Sequence, residues 1–277
     1  MPELPEVETV IKGISSSILG QTINKCELSL KKLRYPKTRN FKKIILSTKV
    51  ISISRRAKYI LINLSNNKTI IIHLGMSGRI ILTSNNENSK FKHTHMTLYF
   101  KNNLIVKFID PRRFGCILLF DTKAISKNRL FSHLGPEPLS KQFNPNYLER
   151  SCQNKRASIK SVIMNQSIVV GIGNIYASES LFRSGINPKR IAFDITHDQC
   201  VQLVKNIKFV LNRAIKLGGS SINDYSMVDG ILGYFQNEHK VYEREGKNCS
   251  KKTCNGRILR IVIAQRSTYY CSQCQKN

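Results

Sequence analysis

The opening residues Met1-Pro2-Glu3-Leu4-Pro5-Glu6 hold the most reactive chemistry in the chain. Removal of Met1 in front of the small ring of Pro2 is expected, and it would turn Pro2 into a secondary amine. An α-amino group titrates near about 7.7–8.0, well below a lysine, so part of it is an unprotonated nucleophile at neutral pH. Attack on a sugar or aldehyde carbon would give a cationic iminium, the Schiff-base chemistry otherwise done by lysine. Glu3 adjoins that amine and Glu6 follows closely, so a carboxyl for proton transfer is at hand. The same residues also suit a plain helix start, because Pro fits a first turn and acids fit its positive end.

Four of the eight cysteines form a second set, Cys249-x4-Cys254 and Cys271-x2-Cys274. Paired thiolates on two knuckles make the tetrahedral sulfur cage that Zn²⁺ prefers, and a closed set of four leaves no position for substrate. One structural zinc is therefore expected, ahead of four unbound thiols or an iron–sulfur cluster. The segment between the knuckles reads as a hairpin. Ile258–Ile263 alternates, Ala264-Gln265-Arg266-Ser267 makes the turn, and Thr268–Tyr270 returns. That places Arg266 on a pinned tip, where a guanidinium can reach a phosphate or a groove.

Several loops carry polar and apolar groups that suit nucleic acid. Asp110-Pro111-Arg112-Arg113-Phe114-Gly115 follows a strand and joins two arginines to an aromatic ring. Arginine beside an apolar wedge fits a protein that enters a duplex and fills the gap of an extruded base. Met76, in the tight turn His73–Gly78, is a second candidate wedge. Arg55-Arg56-Ala57-Lys58-Tyr59 is a basic cluster beside a strand, which by itself reads equally as a solvated face. Gly171-Ile172-Gly173-Asn174 precedes a helix over Ile175–Arg183, and glycines there expose N–H groups to phosphate. A dinucleotide fingerprint is excluded, since no third glycine and no βαβ unit accompany it.

Elements must position these groups. Val7, Val10, Ile11, Ile14 and Ile18 recur at helical spacing until Gly20. From Thr22 to about Asp121 the texture is β-rich, with strands predicted at Lys49–Ser54, Tyr59–Asn63, Thr69–Leu74, His95–Phe100, Leu104–Ile109 and Cys116–Phe120. Turn residues separate them, as at Thr83–Ser89. So many short strands argue a sandwich or barrel. Leu134-Gly135-Pro136-Glu137-Pro138-Leu139 is the best boundary, and helices are expected beyond it. Thr196-His197-Asp198-Gln199 reads as a capping box for a helix that ends at Gly218-Gly219, followed by a turn-rich segment, Ser220–Gly233.

The chain has 277 residues, 45 Lys+Arg against 17 Asp+Glu and a net charge of +28, which points to a polyanion such as nucleic acid as its partner. Its richness in Ile, Lys and Asn is a bias that an A/T-rich genome also produces, so the charge supports nucleic-acid binding without establishing it. No signal peptide or membrane span is expected, because the N-terminus lacks a basic-then-apolar pattern and the apolar runs are short. Cys26, Cys116, Cys152 and Cys200 are expected to be buried fillers.

Taken together, these stretches resemble formamidopyrimidine-DNA glycosylases over the full length of the chain. The carrying motifs are Pro2–Thr9, Arg55–Tyr59, His73–Gly78, Asp110–Gly115, Leu134–Leu139, Gly171–Leu181, Gly233-Tyr234-Phe235 and the cysteine module with Ala264-Gln265-Arg266. The related endonuclease VIII type usually has Gly where Leu4 stands here. The resemblance implies an α+β fold: an N-terminal β-sandwich catalytic domain with an N-terminal helix (1–134), a linker (135–150), a helix–two-turns–helix domain (151–240) and a C-terminal zinc finger (241–277). DNA would lie in a cleft between domains. It further implies a monomeric, cytoplasmic enzyme of base-excision repair acting on double-stranded DNA with oxidised purines or abasic sites.

By the same resemblance Pro2 is the nucleophile at C1′ and Glu3 the proton donor. Lys58 would donate a proton in β-elimination and hold phosphate, and Arg266 would serve δ-elimination. DNA contacts map onto His93, Arg112 and Arg156; Met76, Arg112 and Phe114 are the void fillers, and Lys160 and Asn174 hold phosphate near the lesion. Three features depart from the family pattern: the longer first knuckle, Glu243 where Gly is usual, and Ile231 with Leu232 in the loop expected to cover the flipped base. Two rival readings remain: a non-catalytic, zinc-stabilised binder of damaged DNA, and an endonuclease VIII-like glycosylase for oxidised pyrimidines. Pro2 and Glu3 separate the first from an enzyme; comparison of lesions separates the second.

Overall fold

Val7, Val10, Ile14 and Ile18 lie along one side of the first helix and are fully buried, because the apolar spacing turns that side onto a sheet. This helix, α1 (Leu4–Ile18), opens a computed structural model that describes residues 1–84, 91–220 and 233–276. The chain divides into two units, Met1–Ser132 with Leu217–Tyr234, and His133–Lys216 with Phe235–Asn277.

In the first unit β1 (Ile23–Leu28) and the short α2 (Phe41–Ile45) precede seven strands: β2 (Val50–Arg56), β3 (Tyr59–Leu64), β4 (Lys68–His73), β5 (Arg79–Ser84), β6 (Thr94–Phe100), β7 (Leu104–Ile109) and β8 (Cys116–Asp121). They form two antiparallel sheets, ordered β1-β6-β7-β5 and β2-β3-β4-β8. Ile60, Ile62, Ile70 and Ile72 of one sheet share a core with Ile80, Met96, Leu98, Val106 and Phe108 of the other. Two inner faces closing on one core is the sandwich that the alternating strands predict.

The six predicted strands are present, and two more join them. β1 escaped because a bulge between Ile23 and Lys25 breaks its alternation, so the buried residues Ile23 and Cys26 stand three apart instead of two. β5 escaped because Arg79-Ile80-Ile81-Leu82 begins directly after the His73–Gly78 turn and shows no clean alternation.

The second unit holds α3 (Pro145–Cys152), α4 (Ile159–Met164), α5 (Asn174–Ser184) and α6 (His197–Lys216), then the hairpin β9 (Ile258–Ile263) and β10 (Arg266–Cys271). The capping box before α6 is formed: Thr196 N–H donates to Gln199 Oε1 at 3.0 Å, and Gln199 N–H to Thr196 Oγ1 at 3.4 Å. α5 ends at Gly185, whose φ of +70 supplies the left-handed turn. Cys26, Cys116, Cys152 and Cys200 are all buried, as expected of fillers. Among the described residues no helix is long and apolar enough to cross a membrane. Ile231, Leu232 and most of the Ser220–Gly233 segment lie outside the described residues, as does most of the predicted Thr83–Ser89 turn.

Candidate active site and nucleic-acid interface

The N-terminus is held by carboxylates acting on backbone amides. Glu3 caps α1, and its N–H donates to Oε2 of Glu6 at 2.8 Å, the reciprocal arm of a capping box. Oε1 of Glu6 accepts the N–H of Ser220 at 2.8 Å. Both glutamates are 2% exposed. Glu6 is thus an anchor whose two oxygens both accept from backbone, while Glu3, whose own carboxylate takes part in the capping box, is the acid directly adjoining Pro2. The approach is close enough to need glycine: at Gly219, with φ +79, a Cβ would lie 2.8 Å from Glu6 Oε1.

Lys58 is fixed to the same helix through its neighbours. Arg55 Nε pairs with Glu8 Oε2 at 2.8 Å, and its Nη1 donates to the carbonyl of Ala57 at 2.9 Å. Ala57 takes a left-handed φ of +53 in the turn between β2 and β3, which sets Lys58 into a buried position. The basic cluster is therefore no solvated face; one arginine ties the turn to α1. Lys58 also acts on His73. Burial first, then the charges of Lys58 and Arg34, push that imidazole down to about 4. A neutral His73 can accept, and its Nδ1 takes the N–H of Gly75 at 2.9 Å.

His73 stands at the base of the loop bearing Met76, and that loop is bound to the one bearing Arg112 and Phe114. Asp110, fully buried, joins them. Its Oδ1 accepts from Ser77 Oγ at 2.7 Å and its Oδ2 from Gly115 N–H at 2.8 Å. Ser77 Oγ in turn accepts the N–H of Arg112 at 3.2 Å. The N–H of Asp110 donates to the carbonyl of His93 at 3.1 Å, and its own carbonyl meets His95 Nε2 at 2.9 Å. Gly75 passes so near that a Cβ would sit 2.5 Å from the backbone of Phe114 and Gly115. Met76, Phe114, Arg112 and His93 all remain exposed at the outer end of this brace, with the Arg112 guanidinium 5.1 Å from the Phe114 ring centre. The motifs that contain Asp110 and Ser77 give neither a role, because their contact joins two turns remote in sequence.

In the second unit the residues cluster around the hairpin. Lys160 is 1% exposed; its Nζ donates to Asn174 Oδ1 at 2.5 Å and to Thr268 Oγ1 at 2.6 Å. Asn174, the first residue of α5, donates through Nδ2 to the carbonyl of Ser267 at 2.8 Å. Lys160 and Asn174 thus bind the strand that carries Arg266. The turn differs from the predicted one. Only Ala264 and Gln265 form it, at φ +46 and +59, and Arg266 pairs with Ile263 as the first residue of β10. Two consecutive positive φ values match the right-handed twist of a tight hairpin, which a longer turn would splay. Arg156 lies exposed in the turn between α3 and α4.

At the other end of the hairpin the sulfurs of Cys249, Cys254, Cys271 and Cys274 lie within 4.8 Å of one another. Cys249 and Cys274 are 3.8 Å apart, and Cys254 and Cys271 are 3.5 Å apart. Zn–S bonds of about 2.3 Å place tetrahedral sulfurs roughly 3.8 Å apart, so the four residues fit zinc. Gly256 N–H donates to Cys254 Sγ at 3.4 Å, further stabilising a thiolate. The four-residue spacer of the first knuckle is accommodated, and the chain holds one structural Zn²⁺ in this finger.

A β-sandwich that starts with a capped Pro-Glu helix, a helical unit and a four-cysteine hairpin together define the class of two-unit, zinc-bearing DNA glycosylases. Family models match in that order: the formamidopyrimidine-DNA glycosylase N-terminal domain over residues 1–117, the H2TH domain of the same proteins over 134–226, and the zinc finger found in FPG and IleRS over 252–277. The formamidopyrimidine-DNA glycosylase of Klebsiella pneumoniae is 44% identical over 276 residues, and that of Roseobacter denitrificans 41% over 283, each covering 100% of both chains. Among solved structures, a Lactococcus lactis FPG mutant in complex with Fapy-dG-containing DNA superposes with a TM-score of 0.91 at 32% identity, covering 100% of both chains. The Lactococcus lactis Fpg complexed with abasic-site DNA gives 0.89 at 33% identity, covering 99% of this chain and 100% of that one. The chain belongs to the formamidopyrimidine-DNA glycosylase family.

Proposed function

We infer that this protein is a bifunctional DNA glycosylase and abasic-site lyase of base-excision repair, which removes oxidised purines from double-stranded DNA. The observation that carries the reading is the N-terminus: Pro2 is buried at the head of α1 beside Glu3, on an anchor that Glu6 makes rigid. A passive binder has no use for a held secondary amine beside an acid. Relatives of 32% identity or more carry damaged DNA or the glycosylase name along their whole length, which supports the same substrate class.

With Met1 removed, the Pro2 nitrogen attacks C1′ of the extruded nucleotide and forms a C–N bond as the glycosidic bond breaks. The amine proton leaves with the departing base, and Glu3 supplies the proton that O4′ takes up as the C1′–O4′ bond breaks, which opens the sugar ring and leaves an iminium on Pro2. The iminium acidifies the C2′ hydrogen. Loss of that proton expels the 3′ phosphate, with Lys58 as the acid–base partner, and a second elimination assisted by Arg266 expels the 5′ phosphate. No metal is needed for either bond cleavage. Met76, Arg112 and Phe114 fill the gap left by the flipped nucleotide. His93, Arg156, Lys160 and Asn174 hold the backbone, the last two by fixing the hairpin as well as by facing phosphate. The enzyme acts in the cytoplasm on the nucleoid.

Borohydride trapping on a duplex with 8-oxoguanine opposite cytosine, followed by peptide mapping, tests the assignment. The cross-link is expected on Pro2. A cross-link found only on a lysine, or one that survives an unremoved N-terminal tag, would overturn it.

A further inference from the structure

On the second unit, a concavity of about 500 Å³ lies between α5, α6 and the start of the finger, and the chemistry above makes no use of it. Its position separates it from the hairpin contacts. Arg183 stands nine residues after Asn174 on α5, which at about 100° and 1.5 Å per residue puts it on the opposite side of the helix and roughly 13 Å along it.

The lining is cationic and aromatic. Arg183, Lys205, Lys240 and Lys251 bring four positive charges, and both acids present are already engaged. Glu179, 4% exposed, accepts the backbone N–H groups of Lys240, Val241 and Tyr242 at 3.1, 3.0 and 2.9 Å. Glu238 is held by Arg213, with Nε at 2.9 Å from Oε2. Both acids also feel the charge of Lys240, but with Arg213 counted the lining has five cations against these two carboxylates, so the concavity keeps a net positive charge that calls for an anion.

The site is also flat and pre-set. The Arg183 guanidinium lies 3.8 Å from the centre of the Phe209 ring, and its Nε donates to Asn206 Oδ1 at 3.0 Å. Asn206 is itself buried and donates through Nδ2 to Ser184 Oγ at 3.1 Å, so the guanidinium is steered from both sides. Phe209 stays 49% exposed even with the guanidinium stacked on it, so the pair remains open to a ligand. An arginine plane backed by an aromatic ring, with lysines around it, is the arrangement on which nucleic-acid bases stack while phosphates are neutralised.

We propose that this concavity is a second binding site for a nucleotide, its base stacked on the Arg183–Phe209 pair and its phosphates held by Lys205, Lys240 and Lys251. The chemistry is shared by a free nucleotide and by the phosphorylated end of a single strand.

The chain contains no tryptophan, so Phe209→Trp installs a single fluorescent reporter in the intact zinc protein. ATP is expected to change its emission saturably, with adenosine alone and tripolyphosphate alone each at least roughly tenfold weaker. Arg183→Ala in the same background should weaken ATP about tenfold while leaving 8-oxoguanine excision unchanged. A 5′-phosphorylated oligo-dA that binds more tightly than ATP identifies strand ends as the source; the reverse order identifies free nucleotides. Equilibrium dialysis of labelled ATP against the wild type and Arg183→Ala repeats the test without the reporter. The proposal is overturned by no saturable response up to about 1 mM ATP. It is equally overturned if tripolyphosphate or an oligo-aspartate peptide matches ATP, or if undamaged duplex displaces ATP mole for mole.

Discussion

Ser77 Oγ donates a 2.7 Å hydrogen bond to Oδ1 of the fully buried Asp110, and this contact makes one rigid support out of two loops that are distant in sequence. Met76 precedes the serine, while Arg112 and Phe114 follow the aspartate. Extrusion of a stacked base costs a few kcal/mol, and a wedge recovers part of it only if it cannot retreat.

Ser77→Ala removes the hydroxyl that bridges Asp110 and the N–H of Arg112, at a cost of about 1–3 kcal/mol in stability for the polar groups left without a partner. Excision of 8-oxoguanine should fall by more than cleavage at an abasic site, which has no base to extrude. Phe114→Ala should show the same asymmetry without the loss of stability. Single-turnover rates on the two substrates check both, and equal losses on them would mean that the loops only grip the backbone.

Glu3 and Glu6 should separate by the step they affect. Glu3→Gln is expected to abolish base release, to keep DNA binding, and to spare much of the scission at a pre-formed abasic site. Glu6→Gln replaces one acceptor by a donor facing a backbone N–H, of Glu3 or of Ser220. It should therefore lower both steps together and reduce the melting temperature. If Glu3→Gln excises 8-oxoguanine at the wild-type rate, the proton-donor role is wrong.

Zinc removal acts on Arg266 from a distance. The hairpin is fixed at one end by four sulfurs and along β10 by Lys160 and Asn174. Chelation or Cys271→Ser should release the first anchor, weaken DNA binding and slow δ-elimination before β-elimination. Metal analysis of active protein should return one zinc per chain, and full activity in zinc-free protein would refute the structural role.

Stability should fall on mild acidification. His73 and His239 are pushed down to about 4, each chiefly by burial, and His95 is lowered for the same first reason. Their unfolded value is 6.5, so the folded state resists a proton that the unfolded state takes up. The histidine contribution is complete above that value and is lost as pH falls from 6.5 toward 4. Near pH 5.5 His73 and His239 should each add up to about 1.4 kcal/mol per pH unit to the slope, and His95 adds in the same direction. Urea titrations at closely spaced pH values measure it. His239→Phe, placed between the Phe235 and Tyr242 rings, should flatten the slope.

Much of this was legible in the residues themselves. Apolar spacing disclosed α1 and α6, alternation disclosed six strands, and cysteine spacing disclosed the finger, because in each case one local period or ligand geometry governs the structure. What stayed hidden depends on partners remote in sequence or on broken periods. The bulge in β1 erased its alternation, and the link of Ser77 to Asp110 spans two loops. The four-residue turn expected over Ala264–Ser267, with Arg266 on its tip, shortens to two because nothing local announces that Ala264 and Gln265 both take positive φ without glycine. The burial of Lys160 follows from the hairpin folding onto α4 and α5, which no window around Lys160 contains.

Glu243 supplies a last test, since the family usually has Gly there. It is exposed and takes a φ of +57, in the left-handed region where a Cβ crowds the following carbonyl at a cost of roughly 1–2 kcal/mol. Glycine relieves that strain but loses more entropy on folding, by about 0.5–1 kcal/mol. Glu243→Gly should therefore stabilise the protein by about 0.5–1 kcal/mol, while Glu243→Ala, which keeps the Cβ, should give nothing. The turn also leads to Arg244, whose N–H donates to the carbonyl of Val241 at 3.1 Å, so backbone geometry there is already set. Denaturant midpoints of the three proteins decide the matter: if alanine stabilises as much as glycine, the benefit comes from removing a carboxylate and the backbone argument fails.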